Sequence, residues 1–119
     1  MPTPTGHTTA IRASRVIGTR VYNTNGDKIG EVEDVILDKM SNKIKFAAIS
    51  FGGFLGIGEK YHPVPWSLLD YEEDRDGYVV PLTKEQLEKA PTESLSDLTQ
   101  NDGEIGRSSY DYYKVERDW

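Results

Sequence analysis

The chain of 119 residues contains no cysteine. That removes disulfide staples, cysteine-ligated zinc and a thiol nucleophile from its chemistry. Clustered lysine or arginine is also lacking: the net charge is −6, with acids spread along the chain. Direct nucleic-acid binding needs basic groups gathered on one face, so it is not the expectation. Long apolar runs are missing as well. The longest uncharged stretch, Phe46 to Gly58, holds four glycines and is too short and too interrupted for membrane insertion. The opening Met1-Pro2-Thr3-Pro4-Thr5-Gly6 has neither the basic nor the apolar part of a secretory signal. The expected compartment is therefore the cytoplasm. One domain with tails is the expected size, since a chain of this length buries roughly two-thirds of its unfolded surface.

What is present reads mainly as β-structure. Residues 1–10 are small, polar and proline-containing and read as a disordered tail. Ala13 to Gly18 offers one turn between a capping Ser14 and a closing Gly18. Its Val16 and Ile17 are expected to plug a barrel end. Val21-Tyr22 and the segment from Lys28 flank Asn25-Gly26, a strong hairpin signal because both turn residues tolerate positive φ. From Lys28 to Asp38 the apolar parity switches between Val32 and Val35. That predicts a bulge near Glu33-Asp34, bending the strand as a small barrel requires. Asp74-Arg75-Asp76-Gly77 reads as another hairpin turn. Thr83 and Gln86 have capping-box spacing ahead of a short helix that Pro91 ends.

The remainder is organised around Phe51-Gly52-Gly53-Phe54-Leu55-Gly56-Ile57-Gly58, a glycine-rich loop carrying large apolar side chains. The strand before it, Ile44 to Phe51, is apolar on both parities. One parity is expected to fill a core. The other, with the loop, is either an intermolecular contact or covered by the chain's own tail. Residues 92–119 read as a polar linker followed by an aromatic extended tail. The candidate contact residues are Phe51, Phe54, Leu55 and Ile57, with Tyr112, Tyr113 and Trp119 secondary. The expected partner is a second copy, as a dimer or larger assembly; a different protein partner is the other possibility.

These pieces together resemble the PRC-barrel family: Val16-Ile17-Gly18, Val21 to Gly26, Ile29 to Asp38, Ser50 to Gly58, and Val64-Pro65-Trp66. The family is named for the cytoplasmic domain of the photosynthetic reaction centre H subunit and includes the C-terminal domain of the RimM-type ribosome maturation factor. The chain looks most similar to small stand-alone bacterial members. The resemblance, over about residues 11–91, implies a small, strongly bent antiparallel β-barrel with one short C-terminal helix, serving as an assembly adaptor. It supplies no catalytic motif. The chain lacks the transmembrane helix of the H subunit and the second barrel of the maturation factor, so neither specific role transfers.

Competing chemistries are weaker. Asp74-Arg75-Asp76-Gly77 imitates a calcium loop but has no later glutamate. The glycine-rich loop lacks the lysine and following helix of a phosphate cradle. His62 has no histidine or cysteine co-ligand nearby. Asp34 and Asp70 carry no spacing that makes them an acid/base pair. No catalytic residue, metal or cofactor is expected. The alternative functions are a small-molecule or metal-ion module at a barrel mouth near His62 and Trp66, and a ribosome- or RNA-associated adaptor resting on family likeness alone.

Overall fold

The computed structural model describes residues 10–51, 60–94, 96–102 and 104–116. Its seven strands are β1 (Arg20–Tyr22), β2 (Lys28–Leu37), β3 (Ile44–Phe51), β4 (Lys60–Pro65), β5 (Asp70–Glu72), β6 (Gly77–Val79) and β7 (Glu93–Ser94). Three helices accompany them: α1 (Ala13–Val16), α2 (Lys84–Glu88) and α3 (Glu104–Tyr113). The strands form one sheet in the order β5-β6-β1-β2-β3-β4-β7. No described helix is long and apolar enough to cross a membrane.

Mainly β structure was the expectation and is what the chain forms. The purely antiparallel barrel is not: β1 and β6 run parallel, and the ladder stays open, with β5 and β7 at its edges. Hairpins require antiparallel neighbours, but no turn joins β1 to β6, so their pairing is a long-range choice.

Local chemistry accounts for most elements. The β1–β2 turn is tied by Asn23, whose Oδ1 accepts from the backbone N–H groups of Asn25 and Asp27, both at 3.0 Å. Gly26 alone in that turn takes positive φ (+88°). The bulge expected near Glu33-Asp34 is there: Val32 pairs with Ile49 and Asp34 with Ala48, leaving Glu33 as the extra residue. Skipping one residue lets Val32 and Val35 face the same core while Ile36 turns to the opposite side. The capping box also forms, with Thr83 Oγ1 accepting from the Gln86 N–H at 3.1 Å and Gln86 Oε1 from the Thr83 N–H at 2.8 Å. At α1 Val16 is buried but Ile17 is 41% exposed; a single turn points neighbouring side chains about 100° apart, so only one of the two reaches the core.

Two apolar clusters hold the sheet. The first draws Val21, Ile29, Val32, Ala47, Ile49, Val64 and Tyr78 from five strands, and Leu87 from α2. The second lies on the other side of β3: Ile36, Phe46 and Ala48 meet Leu98 and Tyr110. The extended C-terminal tail of the sequence reading is therefore corrected. Residues 93–94, 96–102 and 104–113 form β7, a kinked 3-10 segment (Ser96–Asp102) and α3. They return along β4, where Ser109 Oγ donates to the Pro63 carbonyl, and reach β3, where Tyr110 Oη donates to the Lys45 carbonyl. Pro63 and Pro65 lack N–H donors, so β4 offers a poor edge to another strand. A helix with hydroxyl donors suits it better.

Candidate functional site at the strand ends beneath the glycine-rich loop

The organising loop leaves the sheet at Phe51 and re-enters at Lys60. Phe54, Leu55 and Ile57 fall outside the described residues, as does Trp119. The base of the loop is closely packed. Phe51 pairs across to Gly30 on β2. A Cβ on Gly30 would stand 1.9 Å from the Ser50 carbonyl oxygen and 2.8 Å from Phe51 Cδ1, so only glycine lets the strand and the Phe51 ring come this close. The bulged Glu33 turns its carboxylate back to accept from Ser50 Oγ at 3.0 Å. The bulge thus braces the residue immediately before Phe51.

On the other side, the Phe51 ring meets the His62 ring edge-on, with centroids 4.9 Å apart at 62°. His62 lies opposite Ile49 on β4. Burial pushes its pKa down to about 4, because a charged imidazole loses its hydration there. Its Nδ1 has no hydrogen-bond partner among the described residues. At neutral pH the platform is therefore an uncharged aromatic pair. It can bury an apolar surface.

The other sequence candidates are dispersed. Tyr112 is exposed, and its Oη donates to the Gln86 carbonyl at 2.7 Å. Tyr113 packs against the first core; burial, reinforced by the neighbouring Tyr112 phenol, raises its pKa. Both tyrosines thus serve contacts within the chain. Trp66 is edge-on to Tyr78 at 5.6 Å. It stands four residues beyond His62, roughly 13 Å at the rise of an extended strand, so the two do not build a shared pocket. Asp34 and Asp70 sit on β2 and β5, three places apart in the sheet. That separation of roughly 14 Å removes the acid/base pairing. Asp76 of the calcium-like turn accepts from Tyr71 Oη at 2.6 Å, which pushes the Tyr71 pKa up to about 12. Among the described residues, no three His, Cys, Asp or Glu side chains gather as a metal site.

Sequence reading missed the Gly30 contact and the Glu33–Ser50 brace. The signal for the first was a glycine inside a strand pattern, which marks close backbone approach. The second followed from the bulge once Ser50 was known to lie beside it.

An open mixed sheet with register shifts around a shared core, with a glycine-rich apolar segment joining β3 to β4 in sequence, defines a mainly β scaffold. The PRC-barrel domain profile matches residues 8–87, and the chain belongs to that family. An uncharacterized protein of Deinococcus radiodurans is 32% identical over 71 residues, 60% of this chain and 25% of that protein. The chain thus spans about a quarter of the length of the curated relative it matches.

Proposed function

We propose that this protein is a non-catalytic assembly module that self-associates through the loop after β3. The observation that carries the proposal is the braced platform at the loop's base. Phe51 is held by Gly30 on one side and His62 on the other, and the apolar residues Phe54, Leu55 and Ile57 follow it in sequence. A contact residue on a rigid base loses little conformational entropy on binding. The sheet's other apolar face is already occupied by Leu98 and Tyr110, and the loop is apolar in sequence, which supports the loop as the contact for a partner. A barrel-like curl, supported by five strands converging on one cluster, would present the loop at one end of the scaffold. A second copy is the proposed partner and the cytoplasm the proposed compartment.

The test is replacement of Phe54 and Leu55 by aspartate. Light scattering on dilute protein is expected to give a monomer with an unchanged far-ultraviolet circular dichroism spectrum. An oligomer of wild-type mass would refute the loop assignment.

A further inference from the structure

Six large apolar side chains are markedly exposed among the described residues: Ile11, Ile17, Leu37, Met40, Tyr71 and Tyr112. Five of them occupy two places. Ile11, Ile17 and Tyr71 line a groove of about 890 Å³ between α1 and the β5–β6 hairpin. Leu37 and Met40, 61% and 91% exposed, stand at the tip of the β2–β3 hairpin. Scattered single apolar residues are ordinary on a surface, whereas a grouped set marks a contact.

The two places differ in shape and charge. The hairpin tip is a knob on a tight turn. The Asp38 carboxylate accepts from Ser41 Oγ at 2.6 Å and from the Ser41 N–H at 3.1 Å. Asn42 closes the turn at φ +63°. That turn carries Lys39 and Lys43; the adjacent Lys45 of β3 is largely buried and lies 3.9 Å from the Asp38 carboxylate, so residues 38–45 hold a net +2. The groove is a hollow whose hairpin wall, residues 70–77, has five acids and one arginine, a net −4. Glu73 and Asp76 of that wall face the groove; Arg12 and Arg15 form the opposite wall.

We infer that copies of this chain associate head to tail, the Leu37–Met40 tip of one seating in the α1/β5–β6 groove of the next. Met40 fills the apolar part of the groove between Ile11, Ile17 and Tyr71, and the tip lysines lie along the acidic hairpin wall. Opposite charges across such a contact set register and encounter rate. The contact joins two different surfaces, so it does not close on itself in a pair and propagates instead. A single tip buries less area than a stable interface of standard size. The association is therefore weak, and it weakens further with added salt. It uses none of the loop residues and stands apart from the loop reading.

The experiment uses full-length chains carrying Phe54→Asp and Leu55→Asp, so that the loop contributes no contact. Sedimentation velocity is run up to about millimolar protein, the range where a contact this small is populated. The parent is expected to grow in mass with concentration without stopping at a dimer. Adding Met40→Asp to one sample and Ile17→Asp to another, both at water-exposed positions, is expected to weaken association about tenfold or more in each. An equimolar mixture of the two variants is expected to form one-to-one pairs and stop there, because each retains one intact half. In the same loop-substituted background, the charge reversals Lys39→Glu and Lys43→Glu are expected to weaken association, and adding Glu73→Lys on the groove wall to restore it. A parent that stays monomeric, variants that assemble like the parent, or a mixture that stays monomeric would each overturn the proposal.

Discussion

The two faces of β3 are closed by different parts of the chain. The first cluster is built by residues from Val16 to Leu87, all inside the span that matches the family. The second begins with Ile36, Phe46 and Ala48 of that span but is completed by Leu98 and Tyr110, which lie beyond it. One face is thus built within the matched span, and the other is capped by a C-terminal segment that lies beyond it. A bent sheet exposes an apolar back face unless something covers it. Here the cover is supplied within the chain, so the proposed intermolecular contacts are placed on the loop and on the hairpin tip and groove instead.

That contrast can be broken by substitution. Ile49→Ala removes a fully buried side chain from the first cluster, and a loss of about 4 kcal/mol is expected in denaturant melts. The whole domain should unfold in one transition, because five strands share that cluster. Leu98→Ala, equally buried, is expected to cost about 3 kcal/mol. Its hydrogen exchange should differ in kind, with α3 and the 3-10 segment opening at lower free energy than β2 and β3. Equal opening energies for cover and strands would merge the two regions into one cooperative unit.

His62 sharpens the comparison through pH. Its folded pKa near 4 lies below the unfolded value of 6.5. Above pH 6.5 it is neutral in both states and its contribution is complete. Between pH 6.5 and 4 the unfolded chain takes up a proton that the folded chain refuses, so stability falls with falling pH. After allowance for partial exposure the loss is about 2 kcal/mol. His62→Leu should remove that segment of the pH–stability curve. A curve identical to wild type would show that the imidazole is not desolvated. Tyr110→Phe gives the smallest effect, about 1 kcal/mol for the bond to the Lys45 carbonyl. Thermal melts would detect it as a slight fall with no change of fold.

Much of the scaffold was legible in sequence because its signals are local. The parity switch between Val32 and Val35 announced the bulge. Thr83 and Gln86 announced a capped helix, and Asn25-Gly26 a turn, although Asn23 turned out to tie it. The parallel β1–β6 pairing carried no such signal, since no turn dictates it. The C-terminal cover was illegible for another reason. Leu98 and Tyr110 are twelve positions apart in a polar stretch, and isolated anchors produce no helical period. Their role emerges only when Phe46 and Ala48 are seen to need covering. Of the candidate site, the sequence singles out Phe51 as an expected contact residue but does not tie Gly30 and His62 to it.

The most direct measurement is amide hydrogen exchange, read by mass spectrometry, on the wild-type protein at dilute and at high concentration. The account predicts added protection at high concentration in peptides covering residues 51–60. It predicts none in peptides covering 96–113, whose contacts are made within the chain at every concentration. Concentration-dependent protection confined to residues 96–113, with none at 51–60, would contradict it and place the intermolecular contact on the C-terminal cover instead.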